Sequence, residues 1–283
     1  MQVDTMCIIG AGTMGTGIAQ LAAQAGIRVH LIDAAEEALS RSRTRLDRSL
    51  QGAVDREKLT TEQAEAVRQM IWWEADLAPC AGADWVVEAV FEDINVKGEI
   101  LKRLGALVRP GVSVSSNTST ICIHRLAALY REPERLIGMH FFNPPPVMKL
   151  VEVIPWEGTA PDVTQACLAL CTRMGREPML SPDIPGFVVN RVLGALAAAA
   201  IDVWSSGGDP EAIDRSVELG LGHKMGPLKT CDLVGLDIMA ALLASLHEQT
   251  GDPRFRPPDA LLKLVGEGKL GAKSGAGFTD YDR

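Results

Sequence analysis

The stretch that decides the fold is Met6-Cys7-Ile8-Ile9-Gly10-Ala11-Gly12-Thr13-Met14-Gly15. Its apolar start predicts a short buried strand, and its glycines have the spacing GxGxxG at the point where helical periodicity begins. In this arrangement Gly10 makes a tight turn, Gly12 lets the backbone approach a pyrophosphate, and Gly15 lets helix and strand pack closely. The alternative is a glycine turn that binds no ligand, so the motif takes its meaning from the segments around it.

The segments after this stretch alternate between short apolar runs and helical periodicity, which is typical of parallel βαβ units. We predict strands at residues 6–9, 28–32, 85–88, 112–115, 136–140, 149–154 and 177–180. Helices are predicted at 14–25, 96–108 and 163–174, with a charged helical arm at about 36–70 that is interrupted near Gly52. The expected fold class is α/β, with a Rossmann-like, doubly wound, mostly parallel sheet.

The pattern changes at Ser181-Pro182-Asp183-Ile184-Pro185-Gly186, a segment that disfavours both helix and strand. Beyond it, helical periodicity predominates at residues 187–205, 210–220, 236–249 and 258–266. We therefore expect an N-terminal domain of residues 1–184 and a second, all-helical C-terminal domain of residues 185–283. The apolar helices of the second domain exceed what a small core needs, which predicts burial at the two-fold interface of a homodimer.

The composition narrows the classes of partner. The chain has 283 residues, 47% of them hydrophobic, and a formal net charge of −8. This balance is typical of a soluble globular protein and argues against nucleic acid and anionic membranes as general partners. The longest apolar run, residues 192–203, is too short to span a bilayer, and no signal peptide is recognised. We expect a cytoplasmic protein.

The cysteines and most histidines do not form a recognisable metal motif. The six cysteines lack metal-like spacing, although Cys167 and Cys171 share a helix face, and they indicate buried thiols in a reducing compartment. Four of the five histidines have no acid at ligand spacing along the sequence: His30, His124, His223 and His247. We expect these four to be structural or exposed, and no metal is predicted.

An acid at the end of the second predicted strand indicates the cofactor. Asp33 follows Gly12 by 21 residues, and a carboxylate there accepts hydrogen bonds from the adenine ribose and repels a 2′-phosphate. The backbone amides after Gly12, at Thr13 and Met14, open a helix whose positive end suits the pyrophosphate. The sequence therefore predicts NAD rather than NADP. Asp33 as the N-cap of the next helix is the alternative, and it is compatible with ribose binding.

Three polar stretches mark the candidate catalytic centre: Ser116–Ser119, Gly138–Pro144 and Gly186–Arg191. The first two end predicted strands, at the sheet edge where cofactor and substrate meet in doubly wound folds. The third opens the first helix of the second domain. The sequence therefore predicts a site built by two strand ends and the start of the second domain.

Hydride chemistry requires few protein groups, because the nicotinamide carries the hydride. His140 is suited to take a hydroxyl proton, and Glu152, an acid inside an apolar strand, is suited to fix its tautomer. Ser119 and Asn190 are suited to bind the substrate oxygen. The alternatives are a core histidine with satisfied hydrogen bonds, an outward-facing glutamate on an edge strand, and helix caps.

With these stretches in place, the chain resembles the 3-hydroxyacyl-CoA dehydrogenase family, and within it the short bacterial 3-hydroxybutyryl-CoA dehydrogenases. The resemblance covers essentially the whole chain, including Met225-Gly226-Pro227-Leu228, Gly235-Leu236-Asp237 and Lys273-Ser274-Gly275. It implies that His140 is the catalytic base, with Glu152 as its partner.

The resemblance also implies the ligand contacts. The nicotinamide half of NAD would contact Glu92, Lys97, Ser119 and Asn143. The CoA thioester would contact Ser49, Arg56, Ser119 and Asn190. The arm differs from the usual lysine-rich pattern, because acidic residues are interspersed with basic ones: Asp47, Arg48, Asp55, Arg56, Glu57 and Lys58. The carrier of the acyl group therefore stays open between CoA and an acyl-carrier protein.

The function that the resemblance implies is NAD-dependent oxidation of a 3-hydroxyacyl thioester to a 3-oxoacyl thioester, and the reverse, with 3-hydroxybutyryl-CoA as a short-chain example. One alternative is the same chemistry on an acyl-carrier-protein-linked group in polyketide extender-unit biosynthesis. Another is a non-catalytic NAD-binding protein. A Ser119–His140–Glu152 hydrolase is disfavoured, because the chain has no GxSxG motif and the nucleotide motif would have no use.

Overall fold

The computed structural model of the chain describes residues 2–281. These residues separate into two compact units, with the division between Ile184 and Pro185. No single helix in the described part of the chain is long and apolar enough to cross a membrane. The bent pair Pro227–Val234 and Leu236–Thr250 meets that test only when its two helices are joined, and both contribute buried side chains to the core of the second unit.

The first unit is built on one eight-stranded sheet with the order β3-β2-β1-β4-β5-β6-β7-β8. The strands are β1 Thr5–Ile9, β2 Arg28–Ile32, β3 Ile71–Glu74, β4 Trp85–Glu88, β5 Ser113–Ser116, β6 Leu136–Phe141, β7 Leu150–Ile154 and β8 Glu177–Leu180. All neighbouring strands run parallel except β6 and β7. The order reverses at β1, which opens a crevice at its carboxyl end. The expected fold class is confirmed.

Six helices accompany the sheet: α1 Thr13–Gln24, α2 Glu36–Asp55, α3 Thr61–Gln69, α4 Ile94–Leu107, α5 Ile123–Ala127 and α6 Pro161–Arg173. Helix α1 is almost entirely buried, because glycines let other backbone approach it closely. A Cβ on Gly17 would lie 2.8 Å from the ring of Pro145, so this glycine admits the proline segment after β6.

The charged arm differs from its predicted form. Helix α2 continues through Gly52 to Asp55, and the interruption lies at residues 56–60. The prediction of a break near Gly52 was wrong because one glycine costs a helix only about 1 kcal/mol. Burial of Leu39, Leu46 and Leu50 on one face of α2 outweighs that cost.

Three elements were not predicted, namely β3, α5 and a helix at Pro227–Val234. Strand β3 is four residues long and lies at the sheet edge, with only Ile71 buried, so it lacks the apolar alternation of a strand. Helix α5 is only five residues long, too short for a helical period to be visible.

The second unit is helical, with α7 Val189–Ser205, α8 Pro210–Leu221, α9 Pro227–Val234, α10 Leu236–Thr250 and α11 Asp259–Gly266. Its core is formed by buried apolar side chains from four of these helices, such as Ile201, Leu228, Leu243 and Leu261. The buried carboxylate of Asp232 accepts hydrogen bonds from the backbone of Phe278 and the hydroxyl of Tyr281. These bonds attach the C-terminal segment to α9.

Candidate active site

A pocket of about 550 Å³ lies at the carboxyl ends of β1, β2 and β4. The glycine turn and the end of β2 supply its polar wall, with Gly10, Gly12, Thr13, Met14 and Asp33 among the lining residues. The predicted residues of the pyrophosphate and ribose sites therefore meet in one pocket, apart from Gly15. The residues predicted for the nicotinamide half do not line it: Glu92, Lys97, Ser119 and Asn143. Phe91 and Arg103, which the sequence analysis missed, also line the pocket.

The glycine turn fits a bound pyrophosphate. Gly10 has a φ of 105°, and a Cβ there would collide with the carbonyl of Ala89. A Cβ on Gly15 would collide with the carbonyl of Gly10, whereas nothing lies within 4 Å of the Cβ position of Gly12. Gly12 also provides no capping side chain for the first amides of α1. The open backbone at Gly12 and these amides together form an anion site at a helix N-terminus.

Asp33 is held in place by the backbone on both sides of the pocket. One carboxylate oxygen accepts a hydrogen bond from the N–H of Ala11 at 2.9 Å, and the other from the N–H of Ala35 at 3.0 Å. Ala35, rather than Asp33, is the N-cap residue of α2. The interpretation of Asp33 as a helix N-cap was therefore wrong, and its carboxylate lines the pocket instead.

His140 and Glu152 face each other across the antiparallel pair β6 and β7. The Nδ1 atom of His140 lies 2.9 Å from a carboxylate oxygen of Glu152, and the two residues are 3% and 2% exposed. The hydroxyl of Ser181 donates to the other oxygen of Glu152 at 3.3 Å. Strand β8 covers β7, so the alternative of an outward-facing glutamate on an edge strand was wrong.

The loop after β5 is attached to the site by two side chains. The side-chain oxygen of Asn117 accepts a hydrogen bond from the N–H of Phe141 at 2.9 Å, which joins the ends of β5 and β6. One carboxylate oxygen of Glu92 accepts the backbone N–H groups of Ser119 and Thr120, each at 2.9 Å. Ser119 therefore has a position set by Glu92.

A buried ion pair lies beneath Glu92. The ammonium of Lys97 is 2.8 Å from Glu88 and 3.2 Å from Glu92, and Lys97 is 1% exposed. Burial opposes ionisation of Glu92, but the charge of Lys97 and the hydrogen bonds from residues 118–120 outweigh it and lower the pKa of this carboxyl. Glu88 also accepts the hydroxyl of Ser116 at 2.6 Å. The sequence analysis did not single out Glu88 as a site residue. The signal that could have found it is an acidic residue at the end of an apolar strand.

The remaining predicted site residues are more dispersed. Ser49 lies on α2 and lines a smaller pocket, whereas Arg56 follows the end of α2 and is exposed. Asn143 is exposed in the segment after β6. Asn190 lies in the first turn of α7, in the second unit.

Two histidines that were expected to lack acids have them in space. His30 lies 3.2 Å from Glu74, and His124 lies 2.7 Å from Asp183, partners 44 and 59 residues away in the sequence. The prediction rested on spacing along the chain, which does not register such contacts. Asp183 also accepts the backbone N–H of His124 at 2.8 Å, so it holds the start of α5. The six cysteines are buried thiols.

The sheet order and the glycine turn define a Rossmann-type dinucleotide-binding protein. The family model of the 3-hydroxyacyl-CoA dehydrogenase NAD binding domain matches residues 5–184, and that of the 3-hydroxyacyl-CoA dehydrogenase C-terminal domain matches residues 186–281. The chain belongs to the 3-hydroxyacyl-CoA dehydrogenase family and is an NAD-dependent oxidoreductase. The resemblance stated from the sequence is confirmed.

Individual relatives match over their full length. A probable 3-hydroxybutyryl-CoA dehydrogenase of Deinococcus radiodurans is 42% identical, with 97% of this chain and 99% of the relative covered. One of Bacillus subtilis with the same description is 40% identical, with 100% and 99% covered. The crystal structure of (S)-3-hydroxybutyryl-CoA dehydrogenase from Ralstonia eutropha has a TM-score of 0.95 at 37% identity, with both chains fully covered.

Proposed function

We propose that this enzyme catalyses the reversible NAD-dependent oxidation of a 3-hydroxyacyl thioester to a 3-oxoacyl thioester. The observation that carries the proposal is the buried His140–Glu152 pair, at the same sheet edge as the glycine turn. The substrate we favour is a short-chain 3-hydroxyacyl-CoA, such as 3-hydroxybutyryl-CoA. The descriptions of the relatives at 40% and 42% identity support this choice.

In this proposal, bound NAD accepts the hydride from the substrate carbon. His140 takes the hydroxyl proton at Nε2, because Glu152 accepts a hydrogen bond from the N–H at Nδ1 and so fixes the tautomer. The negative charge of Glu152 also stabilises the imidazolium that forms. In the reverse direction, the same nitrogen returns the proton to the oxygen of the 3-oxo group.

In this proposal, the polar side chains of Ser119 and Asn190 orient the substrate. A hydroxyl and an amide N–H that donate to the substrate oxygen stabilise the charge that develops on it. Glu92 supports Ser119 by binding its backbone N–H. A protein that bound NAD without catalysis would have no use for this set of groups together with His140 and Glu152.

The ligand contacts complete the proposal. We assign the pyrophosphate to the glycine turn with Gly10, Gly12, Thr13, Met14 and Gly15, and the adenine ribose to Asp33. The nicotinamide half is assigned to Glu92, Lys97, Ser119 and Asn143, and the CoA thioester to Ser49, Arg56, Ser119 and Asn190. Hydrogen bonds from backbone N–H groups to the carboxylates of Asp33 and Glu92 support these assignments. They fix the two carboxylates in place before a ligand binds.

The test is a panel of thioesters assayed by oxidation of NADH: acetoacetyl-CoA, acetoacetyl-pantetheine and an acyl-carrier-protein-linked acetoacetyl group. Turnover of acetoacetyl-CoA is expected, and His140→Ala should lower kcat by roughly 10²–10⁴-fold with little change in NADH affinity. An enzyme inactive on all three thioesters would overturn the proposal. Activity preserved in His140→Ala would remove His140 as the base.

We also propose that the working form is a cytoplasmic homodimer that pairs through the second unit. Large apolar side chains are exposed on each of its five helices: Val192, Val203, Leu219, Leu221, Leu233, Ile238 and Leu262. Burial of such side chains against a second copy stabilises a dimer. The six buried thiols support a reducing compartment.

A further inference from the structure

Three side chains with different metal-binding atoms converge at the start of α5. Cys122 directly precedes the helix, His124 lies in its first turn, and Asp183 lies in the segment after β8. One ligand atom from each, namely a thiol sulfur, an imidazole nitrogen and a carboxylate oxygen, lies within 4.8 Å of the other two. Within residues 2–281, this is the one group of three such ligands so closely spaced.

The carboxylate of Asp183 is oriented by the backbone of α5. One oxygen accepts the N–H of Ile123 at 2.6 Å, and the other accepts the N–H of His124 at 2.8 Å. The Nδ1 atom of His124 lies 2.7 Å from the second oxygen. A carboxylate has about four acceptor sites, so a cation can bind Asp183 without displacing either backbone N–H. Capping of α5 accounts for the carboxylate, but it requires neither a thiol nor an imidazole at this place.

The exposure of the three side chains gives a cation a route from solvent. The side chain of His124 is 55% exposed, whereas those of Cys122 and Asp183 are nearly buried. The imidazole is therefore the outer wall of the group, and rotation about its side-chain bonds opens the space in front of the thiol and the carboxylate. A water molecule can complete the coordination on the solvent side.

The donor atoms indicate the class of ion. A thiolate and an imidazole favour Zn²⁺ and neighbouring transition-metal ions, whereas Ca²⁺ and Mg²⁺ prefer oxygen ligands. Zn²⁺ is commonly held by three protein ligands when water occupies the fourth position. His30 and Glu74 form a comparable imidazole–carboxylate pair at 3.2 Å, but no third ligand joins them in the part of the chain that the structure describes.

The thiol of Cys122 has to lose a proton before it can bind a metal ion. Burial, and to a smaller extent the charge of Asp183, raise the pKa of this thiol to about 11. The thiol is therefore protonated near neutral pH when no cation is bound. A divalent cation replaces this proton, which passes to the solvent, and its charge offsets the repulsion between the thiolate and the carboxylate.

We propose that Cys122, His124 and Asp183 form a binding site for one Zn²⁺ ion, which holds the start of α5 against the segment after β8. The three ligands come from two segments about 60 residues apart, so the bound ion cross-links them. None of the three residues is assigned to NAD or to the thioester. The metal site is therefore independent of the proposed reaction.

The experiment titrates the intact enzyme, dialysed against a chelator, with Co²⁺ and then with Zn²⁺. Co²⁺ reports on the ligands, because its coordination by a thiolate gives a charge-transfer band in the near ultraviolet. Wild type should bind one Co²⁺ per chain with this band. Zn²⁺ should then abolish the band by displacing Co²⁺, since a tetrahedral site with a thiolate ligand favours Zn²⁺. Calorimetry should give a Kd for Zn²⁺ in the micromolar range or below.

Three variants identify the ligands. Cys122→Ser should abolish the charge-transfer band and raise the Kd for Zn²⁺ by more than roughly 100-fold, because loss of a group that only supports a ligand already costs about 10–100-fold. His124→Gln should raise the Kd to a similar extent. His30→Gln is the matched control, because it removes an imidazole that is also paired with a carboxylate. It should leave the band and the Kd at their wild-type values.

Thermal unfolding tests the cross-link between the two segments. Zn²⁺ should raise the Tm of wild type by several degrees and leave the Tm of Cys122→Ser unchanged, because only an ion bound to the folded state stabilises it. His124 is exposed, so His124→Gln should fold like wild type and decides the outcome if Cys122→Ser does not fold.

Three results would overturn the proposal. Wild type without a charge-transfer band would show that no thiolate binds the ion. A band or a Kd that both Cys122→Ser and His124→Gln retain would place the ion elsewhere. An equal loss of affinity in His30→Gln would place it at β2.

Discussion

At the residue scale, the candidate site depends on pairs of side chains that are distant in the sequence and adjacent in space. His140 and Glu152 lie 12 positions apart, and the antiparallel register of β6 and β7 brings them to 2.9 Å. Glu152 also accepts the hydroxyl of Ser181. A carboxylate with these two donors is restricted to one orientation, which keeps the imidazole plane in place.

The partner role of Glu152 can be tested by Glu152→Gln. The amide cannot stabilise an imidazolium by charge, so kcat should fall by about 10²-fold while the Kd for NADH changes little. Steady-state kinetics and NADH fluorescence titration measure the two quantities. Glu177→Gln, on the neighbouring strand β8 and exposed, is the matched control. A kcat of Glu152→Gln within two-fold of wild type would remove Glu152 from the mechanism.

The role of Asp33 is tested by its effect on cofactor preference. Asp33→Ala should lower the ratio of kcat/KM for NAD to that for NADP by roughly 10–100-fold, because a charged hydrogen-bond acceptor for the ribose is lost and repulsion of a 2′-phosphate is removed. Asp33→Asn removes the charge but keeps an acceptor for only one of the two N–H groups, of Ala11 and Ala35, so it should lower the ratio as well while retaining part of the backbone support. An unchanged ratio in both variants would refute ribose binding by Asp33.

At the element scale, a network of buried polar and charged side chains joins the carboxyl ends of β4 and β5 to the start of α4. Glu88 ends β4, Lys97 lies in the second turn of α4, and both are almost fully buried. Ser116, at the end of β5, donates to Glu88, and Glu92 attaches the next loop. This network holds the loop containing Ser119 against the sheet edge.

Removal of one member of the buried pair should be costly. Lys97→Met leaves Glu88 as a buried charge without its cation, and should lower the free energy of unfolding by about 3–5 kcal/mol. Chemical denaturation measures the loss. The double variant Glu88→Gln/Lys97→Met should recover part of it, because no unpaired charge remains. A loss below about 1 kcal/mol in the single variant would show that the pair is not tightly coupled to the fold.

Glu92 predicts a pH dependence with a defined sign. Its pKa in the folded protein lies below the ordinary value of 4.5, so ionised Glu92 stabilises the fold above pH 4.5 and the contribution is lost as pH falls through the lowered folded pKa. Wild type should therefore have a higher Tm than Glu92→Gln at pH 7, and the difference should shrink below pH 4.5. Exposed Glu99→Gln on α4 should show no such convergence. A Tm difference independent of pH would contradict the charge-based explanation.

Prediction at the element scale succeeded where local patterns were strong. The bounds of β2, β4 and β8 were predicted from short apolar runs between turns, and they agree with the structure. Strand β3 was missed because its pairing with β2, rather than its own sequence pattern, makes it a strand. The end of α2 was misplaced because burial of its apolar face outweighs the propensity of Gly52.

At the scale of the whole molecule, the second unit presents exposed apolar side chains on every helix. Light scattering should give a mass twice the 30.3 kDa of one chain. Leu219→Glu, on α8, should shift the distribution towards the single chain, because a dimer interface at this helix would bury the new charge. Leu180→Glu, in the first unit and similarly exposed, is the matched control. A wild-type mass of one chain at micromolar concentration would refute the dimer.

The sequence by itself determined the strand–glycine–helix start, the acid that follows β2, the change of pattern near residue 184 and the identity of His140 as the candidate base. These features depend on short-range geometry, because apolar periodicity and glycine stereochemistry act over a few residues. Only the tertiary structure decided that Glu152 faces His140 and that Glu92 holds Ser119. Strand register and helix packing set these distances, and both arise from the collective burial of residues far apart in the chain.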